Sequence, residues 1–242
     1  MRLASLAWTD LQSVARDRVA VVPLAAFEQH GPHLPFATDA VILESLLDAV
    51  AQHVAECVLL LPIQWLADSG RHSAYGGTLT VHASTHVEMI AAIVDSIVGA
   101  GFARILLLNG QYDGDASVSM ALRTIRERRP GLAVLGASYW SLADLHETMR
   151  PADHGGRMET ALMIHLRPEM VRTDALAADR ARSSSPFADR VLEYLRMDQV
   201  SHAGSVGDPR KATAKEGHDA FDRIVTGISG LIQDFHDGII GR

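Results

Sequence analysis

Short β-branched or leucine-rich runs alternate along the chain with longer segments whose apolar residues recur at helical spacing, the pattern that βαβ units around a parallel sheet produce. The expected strands are Val19 to Leu24, Cys57 to Leu61, Ile105 to Leu108 and Leu132 to Gly136. Each is a near-continuous apolar run, as a strand covered on both faces requires. Between the first two, Thr38 to Ala55 sets Ala40, Ile42, Leu43, Leu46, Leu47, Val50 and Val54 along one stripe, which predicts an amphipathic helix with Thr38 as its N-cap. A second helix is expected from Thr85, where Thr85-x-x-Glu88 has capping-box spacing, to the glycines of Gly99-Ala100-Gly101. A third runs from Asp115 to Arg129 and is stopped by Pro130. Later helices are expected at Met158 to His165, Pro186 to Leu195 and Glu216 to Phe235, the last weakened by Gly227 and Gly230. The one linker-like stretch, Ser183-Ser184-Ser185-Pro186, reads as a helix entry, so residues 1–242 are expected to form a single domain of the α/β class.

Composition narrows the function. The chain is 48% hydrophobic with a formal charge of −7, so no basic field exists to drive binding to nucleic acid or anionic lipid. The N-terminus is interrupted by charge too early for a signal peptide, and no apolar stretch approaches the roughly 20 residues that cross a bilayer. The single cysteine, Cys57, sits in an apolar run and reads as a buried thiol in a reducing compartment, so a cytoplasmic location is expected.

Polar chemistry is concentrated where strands end. The first strand runs into Glu28-Gln29-His30-Gly31-Pro32-His33-Leu34-Pro35-Phe36-Ala37-Thr38-Asp39. In extended backbone Glu28 and His30 face one point while Gln29 faces elsewhere, and Asp39 returns to that point at the next helix start. Such an oxygen and nitrogen set suits zinc or manganese, although a polar loop with surface histidines would have the same composition. The third strand likewise ends in Asn109-Gly110-Gln111-Tyr112-Asp113-Gly114-Asp115. Ligands bind beyond the carboxyl ends of parallel strands, so the two loops are expected to share a crevice. A third cluster, Asp153-His154-Gly155-Gly156-Arg157-Met158-Glu159-Thr160, adds a histidine at a helix entry, where helix capping alone would also explain the glycines. No serine-hydrolase elbow, phosphate loop or dinucleotide fingerprint is present.

Glu28-Gln29-His30-Gly31-Pro32-His33-Leu34-Pro35 with Thr38-Asp39, then Asn109-Gly110, His154-Gly155-Gly156 with Glu159-Thr160, and Gly204, Gly207-Asp208-Pro209, Ala212-Thr213-Ala214 and Gly217 together resemble the creatininase family of metal-dependent amidohydrolases. The resemblance implies a three-layer α/β/α sandwich with a mainly parallel sheet, usually assembled as a hexamer, and a two-metal site. It implies Glu28 and His30 as ligands of different ions and Asp39 as the bridge. The remaining ligand positions fall on Gln111, where the family has histidine, and on Asp113. An amide oxygen is a poorer zinc ligand than imidazole, which leaves one ion firmly held by His30, Asp39 and Asp113 and the second weak or absent. The activity implied is hydrolysis of a C–N bond in a small molecule, a cyclic amide, formamide or peptide-like bond, by metal-activated water, with His154 as proton shuttle. Glu159 orients His154 or a ligand, and Asp208 is expected to be structural. Candidate substrate-binding residues are His72, Ser73, Tyr112, Trp140 and Arg157, with Arg71 and Tyr139 beside them. A degenerate member that binds a ligand or partner without catalysis is the alternative.

Overall fold

The strands form where the apolar runs are longest, and they stack in one parallel sheet. In the computed structural model, which describes residues 1–145, 154–178 and 194–241, β1 (Val19–Leu24), β2 (Val58–Leu60), β3 (Arg104–Asn109) and β4 (Ala133–Ser138) are arranged in the order β2-β1-β3-β4. Val21 pairs with Leu60 on one side and Leu106 on the other, so β1 lies inside the sheet and every one of its residues is buried.

Helices cover both faces, giving an α/β fold. The alternation of side chains along a strand sends Val19, Val21, Leu106 and Leu108 to one face. There they pack on α1 (Thr38–His53), α4 (Arg157–Leu166) and α6 (Ala214–His236). Ala20, Val22, Ile105 and Leu107 go to the other face, against α2 (Ala83–Gly99) and α3 (Gly114–Arg128). A short α5 (Met197–Val200) lies between α4 and α6 in the chain. Among the described residues, no helix is long and apolar enough to cross a membrane.

Several helix ends differ from expectation. Thr38 does not cap α1: Ala37 holds the cap position, and the Thr38 hydroxyl donates to the Pro35 carbonyl at 2.6 Å. Thr85 lies inside α2, which starts at Ala83 after the extended His82. A capping box forms instead at Thr213 and Glu216, so α6 starts ahead of the expected Glu216. Of the two glycines that weakened the reading of this helix, Gly227 is explained by close approach, since a Cβ there would lie 1.8 Å from the Leu142 carbonyl oxygen, whereas Gly230 has open space beside it. At Gly227 the cost of glycine in a helix is set against backbone packing that no other residue permits. Cys57 is half-buried, its thiol donating to Gln233 Oε1 at 3.4 Å. The expected helix from Pro186 falls on residues 186–193, outside the described residues, and Tyr194 and Leu195 are not helical.

The connections set the place of the site. From β1 the chain crosses to β2 on one side and later enters β3 on the other, so the loops leaving β1 and β3 diverge at their carboxyl ends. That reversal opens a crevice in such sheets.

Candidate metal centre

The loop leaving β1 does not continue as a strand, and this decides how its side chains point. Gly31 takes a positive φ of 73°, His30 bridges to Leu34, and the Glu28 N–H donates to the Phe36 carbonyl at 3.1 Å. Gln29 points away from Glu28 and reaches the opposite edges of the His72 and His154 rings. The Gln29 amide nitrogen donates to His72 Nδ1 at 2.8 Å and to the Gly204 carbonyl at 2.7 Å, while its oxygen accepts from the Gly31 N–H at 2.9 Å. These partners fix the amide orientation. Gln29 thus ties the loop to two distant segments, a role that sequence spacing did not reveal.

Glu28, His30, Asp39, His72, Gln111, His154 and Glu159 are all buried together. The His30 Nδ1–H donates to the Glu28 carbonyl at 2.9 Å, which turns Nε2 to Asp39 Oδ1 at 2.9 Å, with Glu159 Oε1 at 4.0 Å. The His154 Nε2–H donates to the Gln29 carbonyl at 2.7 Å, leaving the Nδ1 lone pair 3.9 Å from Glu28 Oε1. His72 differs: because its Nδ1 accepts from Gln29, its proton sits on Nε2, 3.3 Å from Glu28 Oε1 and 3.4 Å from Asp113 Oδ2. The three rings lie side by side, with His154 centred 4.4 Å from His30 and 4.3 Å from His72.

The electrostatics follow from burial of this many charges. Burial opposes a charge on His30, but Asp39, Glu159 and Glu28 pull it up to about 10. Burial raises Glu28 to about 7, His72 and His30 opposing it and Asp39 adding to it. Burial, with His30 and His72 beside it, holds His154 well below the usual imidazole range.

Gln111 turns its amide nitrogen, not its oxygen, to Glu28. Its nitrogen donates to Glu28 Oε2 at 2.6 Å, to Ser69 Oγ at 3.2 Å and to the Asp68 carbonyl at 3.3 Å. Asp113 lies off the cluster, accepting from Arg71 Nη1 at 3.0 Å; burial opposes ionisation there, but His72 and Arg71 hold its carboxyl below the usual range. Glu159 Oε2 accepts from the Gly155 N–H at 2.6 Å and so braces the loop carrying His154, which is paired on its other side with Val206.

Among the described residues, three groups of side chains bring ligand atoms within 4.8 Å of one another: Glu28, His30 and Asp39; His30, His154 and Glu159; and Glu28, His72 and His154. Asp39 Oδ2, His72 Nε2 and Gln111 Oε1 are buried there without a hydrogen-bond partner among the described residues, a deficit that a cation relieves for the two oxygens. Mixed carboxylate and imidazole donors fit zinc or manganese.

Of the expected substrate residues, His72 lies in the cluster. Ser73 is exposed. Tyr112 is exposed and stacks near Trp140, whose ring packs edge-on to the core residue Tyr139. Arg157 is ion-paired to Glu216 between α4 and α6. Asp208 accepts from the Arg210 N–H and caps a turn.

A parallel α/β sheet with a buried histidine and carboxylate cluster at its switch point defines an α/β protein with a candidate metal centre. The family model of creatinine amidohydrolase matches residues 4–232. The chain belongs to the creatininase family of hydrolases. It is 30% identical over 217 residues to the mycofactocin precursor peptide peptidase of Mycobacterium ulcerans (strain Agy99), covering 85% of this chain and 80% of that protein. It is 23% identical to the creatinine amidohydrolase of Pseudomonas putida, with 96% of each chain covered. A crystal structure of creatininase superposes with a TM-score of 0.84 at 20% identity, covering 97% of each chain. Related solved structures include a creatininase described with Mn and a mutant creatininase of the Zn-Zn type.

Proposed function

We propose that the protein is a metal-dependent amidohydrolase that cleaves a C–N bond of a cyclic amide, formamide or peptide-like molecule at the Glu28–His30–Asp39 cluster. The observation that carries this reading is the orientation of the His30 ring. With Nδ1–H engaged by the Glu28 carbonyl, Nε2 is the atom offered beside Asp39, the arrangement by which proteins orient a metal-binding imidazole. Glu28, His30 and Asp39 would hold one divalent ion, zinc or manganese. When bound, it supplies Lewis acidity and lowers the pKa of water.

The chain's own groups divide the remaining work. His154, kept neutral by burial, has its Nδ1 lone pair inside the cluster. It takes the proton of the attacking water and returns it to the departing nitrogen. Glu159 positions His154 through the Gly155 N–H. Asp113, engaged by Arg71, drops out of the ligand set, and the Gln111 amide takes up the Glu28 oxygen that a second ion would otherwise use. One ion per chain is the consequence.

Elemental mass spectrometry on protein purified without added metal or chelator tests this, with about one zinc or manganese per chain expected. A panel of cyclic amides, formamides and short peptides completes the test, and His154→Asn should abolish turnover of any substrate found while keeping the ion. No ion after incubation with zinc and manganese would overturn the reading in favour of a non-catalytic binding protein.

A further inference from the structure

A cavity of about 460 Å³ lies beside the cluster, between the loop after Asp68 and the starts of α2 and α3. Its walls carry both charge and apolar surface: Asp68, Arg71 and Asp113 on one side, Val87, Met120 and Leu195 on the other. It adjoins the centre through two wall residues. Asp113 Oδ2 is 3.4 Å from His72 Nε2, which is 3.3 Å from Glu28 Oε1. The Asp68 carbonyl accepts from the Gln111 amide, which also binds Glu28.

The charges in the wall do not cancel. Arg71 is already committed, its Nη1 to Asp113 Oδ1 at 3.0 Å and its Nε to the Leu195 carbonyl at 2.8 Å. Asp68 accepts only one long hydrogen bond, from the Gly70 N–H at 3.4 Å, and has no ion-pair partner among the described residues. Two carboxylates, Asp68 and Asp113, stand against one guanidinium in this wall, so its charge is net negative. A carboxylate entering this space would meet Asp68 and have to compete with Asp113 for Arg71. A protonated amine or amidinium would supply the charge that Asp68 lacks.

We propose that this cavity receives the cationic end of the substrate, an ammonium or amidinium group on an apolar body, with Asp68 as its counter-ion. The inference rests on the hydrolase reading and adds the substrate class: a small amine-bearing or amidine-bearing compound whose apolar part lies on Val87 and Met120. The guanidinium of Arg71, anchored by Asp113, forms a fixed wall and does not recognise an anion.

Calorimetric titration with three probes of nearly equal size, 2-phenylethylamine, 2-phenylethanol and phenylacetate, tests this at pH 7. The amine is expected to bind about tenfold more tightly than the alcohol, the advantage of one charge-assisted contact, with phenylacetate weakest. Asp68→Asn should erase the preference for the amine while leaving alcohol binding in place, and Asp68→Glu should retain it. Tightest binding of phenylacetate, an amine preference that survives Asp68→Asn, or binding of none of the three would overturn the proposal. No probe has to be hydrolysed, so failure here is distinct from failure of the metal-content test.

Discussion

The two sides of the buried cluster carry similar residues and are wired differently. On the His30 side, an imidazole faces Asp39 with Glu159 beyond it, and one Asp39 oxygen has no partner. On the Glu28 side, the carboxylate is met by the amide of Gln111 at 2.6 Å and faced by His72, itself held by the amide of Gln29. The first side concentrates negative charge that a cation can offset; on the second, one Glu28 oxygen is already taken by an N–H donor. Residue composition alone would have counted both as metal sites, and the hydrogen-bond donors are what separate them.

The comparison breaks most severely at His30. His30→Ala removes the shared member of two of the three ligand groups, and both bound metal and turnover should fall, turnover by roughly a hundredfold or more. Elemental analysis and kinetics on one preparation check this; unchanged turnover would sink the metal-hydrolase reading. Gln111→His acts on the opposite side and should sharpen the contrast in reverse. It withdraws the amide donor from Glu28 and supplies an imidazole, so metal content should rise from about one ion per chain to about two.

The smallest effect concerns His33, under the His30 side, whose Nε2 lies 3.0 Å from Thr160 Oγ1. Burial, opposed by a backbone contact to Gly155, pushes His33 down from 6.5 to about 4. Between those values the unfolded chain takes up a proton that the folded chain refuses, so stability falls as pH drops through that window. The His33 contribution is read by comparison with His33→Gln: between pH 7 and pH 5 the native chain should lose about 5 °C of unfolding midpoint relative to the variant. His33→Gln should flatten that slope.

The sheet was legible because its strands are buried on both faces, and continuous apolar runs such as Val19 to Leu24 carry that signal whatever packs on them. Helix ends were less so, since Thr38 and Thr85 have capping chemistry that the neighbouring chain did not use. Within the site, Glu28, His30, Asp39 and His154 stood out by residue type and position. Gln29, Ser69 and Asp68 did not, because an amide, a hydroxyl or an ordinary carboxylate gains meaning only from partners far away in the chain. Gln29 meets Gly204 and Gln111 meets Glu28 by tertiary contact alone. Asp113 shows another side of this: its position suited a ligand, and its pairing with Arg71 and its approach to His72 are tertiary contacts that position alone does not reveal.

The cluster is drawn from the loop after β1, the first turn of α1, the turn at His72, the loop after β3 and the entry to α4. No two or three of these segments can assemble it without the sheet that spaces them. An ion held by Glu28, His30 and Asp39 in the arrangement that the folded loop and helix impose favours the folded chain over the unfolded one, by about 2.7 kcal/mol when its free concentration is a hundred times its dissociation constant. Cellular metal supply would then govern the lifetime of this protein as well as its turnover, and a starved cell would lose the polypeptide along with the activity.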